Sequence, residues 1–173
     1  MDVVFDSPHL QLLVGNHKDA RQAVDVDAVI ALENLTDYAY GVQLNMADER
    51  PAYPFLFAKV PIRTGRRQTG LQFLAALAVL DDIVQHRRTR RTRDQQRAPK
   101  LAVLIHCQAG HQRAPTLAAC WLVARGHEPN LLAAWETITK ARPGTAPEPS
   151  NYVAAGECLQ LWRTIHHSPF TSC

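Results

Sequence analysis

The sequence predicts an α/β fold: a central, mostly parallel sheet of about four or five strands flanked by helices on both faces. Three observations lead there. Ala28-Val29-Ile30-Ala31-Leu32 and Leu101-Ala102-Val103-Leu104-Ile105 are short, uncharged apolar runs of the kind that fill buried parallel strands. Stretches with helical spacing alternate with such runs along the chain. Finally, His106-Cys107-Gln108-Ala109-Gly110-His111-Gln112-Arg113 closes one strand and opens an Ala/Leu-rich helix. Ligands bind at the carboxyl ends of strands in sheets of this type.

Residues 3–5 and 10–14 read as short strands, 17–24 as a short helix and 27–32 as a parallel-type strand. Tyr38 to Leu44 alternates loosely and fits an edge strand, and 45–54 is a polar, proline-containing loop. Residues 55–60 form another strand. From Thr69, Leu71, Leu74, Leu77, Ala78 and Val84 recur at helical spacing, giving an amphipathic helix to about Gln85. The helix after the central strand runs from Ala114 to about Ala124, with Pro115 in its first turn and Gly126 as its C-terminal stop. Asn130 caps a helix through Leu131, Leu132, Trp135 and Ile138 to about Lys140. A proline-rich turn at 143–149 precedes a last helix at about 150–165.

The 173 residues suit a single domain, 1–173, with no internal linker or repeat. No apolar stretch is long enough to span a bilayer, and no secretory signal opens the chain. Cys107, Cys120, Cys158 and Cys173 are too few and too scattered for a disulfide framework, so a reducing, cytoplasmic location is the default. Net charge is +3, and it is uneven. Seven of the nineteen basic residues (Arg87, Arg88, Arg90, Arg91, Arg93, Arg97 and Lys100) fall in a basic loop near 87–100. That stretch reads as a solvated helix end and loop, with electrostatic contact to RNA, an acidic protein or anionic lipid as the sharper alternative. No stacking aromatic interleaves the arginines, which favours the plainer reading.

The segment from 106 to 113 carries the chemistry. A strand–loop–helix aims loop amides and a helix N-terminus at one point, which suits a tetrahedral anion. Gln108, Ala109, Gly110, His111 and Gln112 would supply backbone N–H groups, and Gly110 the tight turn. Arg113 adds a planar fork able to hold two oxygens. The same positive field favours Cys107 as a thiolate. An anion cradle around a sulfur nucleophile is equipment for taking a phosphoryl group onto sulfur, without a metal or another cofactor.

These residues resemble the H-C-x5-R signature of the cysteine-dependent protein phosphatases, in particular the small dual-specificity branch. The likeness continues through Leu12-Leu13-Val14-Gly15-Asn16, Asp19-Ala20, Val29-Ile30-Ala31-Leu32, Lys59-Val60-Pro61-Ile62, and Ala141-Arg142-Pro143 followed by Pro149 and Asn151. It implies a phosphatase-type fold and Cys107 and Arg113 as the catalytic pair. It also implies a supporting His106 that turns away from substrate, and Arg142 and Asn151 bracing the loop from behind. The substrate it implies is a phosphorylated protein or another phosphate bearer, dephosphorylated through a phosphocysteine.

Two positions depart from the family pattern. The family places an aspartate general acid just past its Val-Pro-Ile strand, but here Thr64 occupies the site. No Asp or Glu lies between Arg50 and Leu80, and Asp48 and Glu49 are the nearest upstream. Ala114 stands where the family usually carries a hydroxyl. Without an acid, activity should fall steeply as leaving-group pKa rises. Two rival readings follow. One is an RNA or nucleotide 5′-triphosphatase, whose leaving group needs little protonation and for which Arg63, Arg66 and Arg67 would meet further phosphates. The other is a phosphate-binding pseudophosphatase.

Overall fold

The computed structural model describes residues 1–23, 26–33, 56–63, 68–94 (backbone only from 87) and 100–166. The expected edge strand at 38–44 and polar loop at 45–54 lie outside these residues, as do Asp48, Glu49, Thr64, Arg66 and Arg67.

In chain order the elements are β1 (Asp2–Asp6), β2 (Leu10–Gly15), α1 (His17–Gln22), β3 (Ala28–Ala31), β4 (Leu56–Lys59), α2 (Gly70–Asp94), β5 (Leu101–His106), α3 (Arg113–Ala124), α4 (Leu131–Ala141) and α5 (Pro149–His166). The five strands form one sheet in the order β1-β2-β5-β3-β4. β1 runs antiparallel to β2, and the other pairings are parallel. β5 is the central strand, buried at every position because both its edges and both its faces are covered.

Alternation along the strands divides the core. Leu12, Val14, Ile30, Val103 and Ile105 face the main cluster, which α2 to α5 fill with Phe73, Leu77, Leu80, Leu117, Leu122, Ile138 and Trp162. Leu13, Val29, Ala102 and Leu104 point the other way and meet Ala20 of α1 and Ala23. Among the described residues helices therefore cover both faces, with four on one and a single short helix on the other.

One expectation needs correction. The helix from Thr69 does not stop near Gln85 but continues to Asp94, so the first half of the 87–100 stretch is helix, not loop. Arginine is a good helix former, and no Gly or Pro interrupts the chain between Gly70 and Pro99. The caps behave as the sequence indicates. Asn130 accepts from the Ala133 amide at 3.0 Å, and Gly126 adopts φ 70° directly after α3.

The register places three strand ends side by side. Gly15 of β2 and Ala31 of β3 both lie opposite His106, the last residue of β5. The 107–112 loop begins there.

Candidate active site

Cys107 follows the last residue of β5 and is 2% exposed. Gln108, Ala109 and His111 are exposed, Gly110 is buried and Gln112 is half-buried. Arg113 begins α3 with its side chain turned inward. Nη1 donates to the carbonyls of Leu32 and Ile62, each at 3.0 Å, which occupies that nitrogen at the ends of β3 and of the segment after β4. Among the described residues Nε and Nη2 have no hydrogen-bond partner, which leaves them as the two prongs of a fork that only a guanidinium provides.

Other elements hold the loop by its outward-facing atoms. Asn16 caps α1, accepting from the amides of Lys18 at 2.8 Å and Asp19 at 3.0 Å, while Asp19 accepts from the Asn16 amide. That capping box fixes His17, whose backbone N–H (3.4 Å) and ring Nδ1 (2.9 Å) both meet the Gln108 carbonyl. Arg142, just past α4, donates from Nε to the Gly110 carbonyl at 3.0 Å. Its Nη1 reaches the Val14 carbonyl and pairs with Asp2 of β1. Gln112 donates from Nε2 to Oε1 of Glu148 at 2.5 Å.

With these groups pinned outward, no intramolecular hydrogen bond engages the backbone N–H groups of Gln108 to Gln112 among the described residues. Protein amides in a partly buried loop need a partner, and an anion can supply it. Gly110 has φ 73°, and a Cβ there would sit 2.8 Å from the carbonyl carbon and oxygen of Gly15. Conformation and space both require glycine at this turn.

Behind the loop, His106 is fully buried, its Nδ1 3.6 Å from a carboxylate oxygen of Glu33. Burial, followed by the charges of His17 and Arg113, lowers its pKa to about 4. The imidazole is therefore neutral at pH 7. Asp19 also departs from its ordinary value. Burial alone would raise it, but hydrogen bonds from the chain's first amino group and the Asn16 backbone, with the charge of Arg142, bring it below.

The sequence-derived residues Cys107 to Arg113 thus lie together at the carboxyl end of β5. Arg142 touches the loop, and Asn151 is fully buried on α5. Arg63 is exposed. Gln112, read from the sequence as a backbone donor, also bonds Glu148 through its side chain. His17, Glu33 and Glu148 drew no attention in the sequence. His17 lies 91 residues from Gln108 and Glu148 lies 36 from Gln112, so no local spacing links them.

A mixed five-stranded sheet with this loop after its central strand is a phosphatase-type architecture. The chain is similar in structure to human DUSP28 (13% identity, 95% of this chain and 99% of that one, TM-score 0.65). It is also similar to PTPMT1 (17%, 95% and 98%, 0.61) and to Tk-PTP in its active form (21%, 91% and 96%, 0.58). The family model PTP-SAK, "Swiss Army Knife protein, DSP-PTPase phosphatase domain", matches residues 11–171, and the chain belongs to that family. It is a phosphatase of the dual-specificity-like branch of the protein tyrosine phosphatase superfamily. No curated protein matches the sequence significantly. No helix among the described residues is long and apolar enough to cross a membrane.

Proposed function

We propose that the protein hydrolyses phosphomonoesters, such as phosphotyrosine, phosphoserine or phosphothreonine, through a phosphocysteine on Cys107. The observation that carries this reading is the loop itself: amides with no hydrogen-bond partner among the described residues, beside Cys107 and an Arg113 fork held by two backbone carbonyls. Three phosphoryl oxygens would be held by the amides of Gln108 to Gln112 and by Nε and Nη2 of Arg113 while sulfur attacks phosphorus. Donors fixed before the reaction stabilise the transition state without reorganising, and removing one such donor typically costs about 10²–10³-fold in rate. Arg113 supplies the positive charge, so the reading requires no metal. A thiolate nucleophile suits a reducing compartment, in keeping with a cytoplasmic enzyme.

The test is a panel comprising an activated aryl phosphate, phosphotyrosine and phosphothreonine peptides, and a 5′-triphosphate RNA, each run with Cys107→Ser. We expect phosphate release from the monoesters, abolished in Cys107→Ser, and a trapped phosphoprotein on rapid acid quench. Hydrolysis that survives Cys107→Ser would refute the mechanism. Faster γ-phosphate release from the triphosphate would favour the triphosphatase reading. Anion binding without turnover would favour a pseudophosphatase.

A further inference from the structure

The loop after Val60-Pro61-Ile62 has no carboxyl group, yet phosphoryl transfer to sulfur with departure of an alkyl alkoxide needs a proton donor. Four carboxylates lie around the 106–113 segment among the described residues. Asp2 pairs with Arg142. Asp19 is committed to the α1 capping box and held below its ordinary pKa. Glu33 is 2% exposed and lies beside His106, behind the loop. Glu148 differs from all three. It is half-buried, and its partner is a neutral amide, Nε2 of Gln112, on the last loop residue before Arg113.

The segment carrying Glu148 is also fixed against the loop at two points. Arg142 holds the Gly110 carbonyl at 3.0 Å, and Glu148 holds the Gln112 side chain at 2.5 Å. Between them Thr145 is buried and donates from Oγ1 to the Arg142 carbonyl at 2.8 Å. Pro143, Pro147 and Pro149 restrict the backbone, so the segment arrives with little freedom left to lose. One oxygen of Glu148 is held by Gln112, and no other side chain among the described residues pairs with the carboxylate.

We propose that Glu148 is the proton donor and acceptor of this site, in place of the absent aspartate. The inference rests on the phosphatase reading above. In the first step the Cys107 thiolate forms a bond to phosphorus and the phosphorus–oxygen ester bond breaks. The leaving oxygen takes the proton of the Glu148 carboxyl group, giving an alcohol or phenol. In the second step the Glu148 carboxylate takes a proton from water as its oxygen bonds to phosphorus. The sulfur–phosphorus bond breaks, inorganic phosphate departs, and the thiolate and carboxyl group are restored. The steep leaving-group dependence expected of a site without an acid then becomes the behaviour of a Glu148 variant and not of the intact protein.

The experiment measures kcat/KM of the full chain and of Glu148→Gln on a series of aryl and alkyl phosphates of rising leaving-group pKa. Cys107→Ser, Asp48→Asn and Glu49→Gln are run alongside. Orthovanadate binding and thermal unfolding report whether the cradle and fold of each variant are intact. We expect a shallow dependence in the unaltered protein. Glu148→Gln should lose about 10²–10⁴-fold on the alkyl esters, at least tenfold more than on the most activated aryl ester. An equal loss across the series, or no loss on the alkyl esters, would overturn the proposal. So would a steepened series in Asp48→Asn or Glu49→Gln instead. Activity persisting in Cys107→Ser, or no turnover of any ester by the unaltered protein, would overturn the phosphatase reading as well. A series that depends on Cys107 but not on Glu148 would leave that reading standing and remove only this one.

Discussion

Arg113 would combine two tasks in one side chain: Nη1 anchors the ends of two sheet segments, and on the proposed reading the rest of the guanidinium holds the anion. A lysine keeps the charge but has no planar fork, so Arg113→Lys should lose about 10²-fold or more in kcat/KM on an aryl phosphate. Gly110 is equally constrained. Gly110→Ala would combine a positive-φ alanine with a clash against Gly15, costing roughly 1–3 kcal/mol in urea unfolding together with loss of orthovanadate affinity. His106 makes a prediction about pH. Its folded-state pKa, about 4, lies below the ordinary 6.5, so the unfolded chain takes up the proton first as pH falls. The stability it contributes is full above about pH 6.5 and declines toward pH 4, a difference of about 3 kcal/mol. Urea titrations at pH 7 and pH 4.5 should show that slope, and His106→Gln should reduce it. The residues Cys107 to Arg113 were legible because their meaning lies in contiguous spacing. His17 and Glu148 were not, because a histidine after a cap and a glutamate between prolines acquire a role only through folding.

At the scale of elements, the site depends on α1 and on the 142–149 segment as much as on β5 and α3. The Asn16 cap positions His17 against Gln108. Asn16→Ala should therefore cost about 1 kcal/mol in stability and weaken orthovanadate binding beyond what the fold loses. Isothermal titration beside urea unfolding separates the two. The strands and caps could be read from apolar runs and capping residues, which act locally. The length of α2 could not, because the apolar stripe fades after Val84 while the arginine run keeps favourable helix propensity. A hydrophobic pattern reports where a helix is buried, and the exposed remainder of a helix leaves no such mark.

At the scale of the whole molecule, the main cluster ties the four larger helices to one sheet face, and Cys120 of α3 and Cys158 of α5 lie within it. Their mutual hydrogen bond, with burial next, raises the Cys120 thiol well above its ordinary pKa. Both sulfurs are fully buried, so alkylation by iodoacetamide should proceed only through unfolding. Their labelling rate, followed by mass spectrometry, should rise with urea in step with global opening. Labelling of Cys107 should instead be slowed by orthovanadate under native conditions.

The pairing of Arg142 with Asp2 has a practical bearing. Asp2 lies on an edge strand of the sheet, and Arg142 holds the Gly110 carbonyl of the 107–112 loop. Two contacts thereby fasten the start of the chain beside the 107–112 loop: Arg142 on Asp2, and the first amino group on Asp19 of the α1 cap. A bulky fusion at the amino end, or a cut that peels the first strand away, would slacken the loop from a distance.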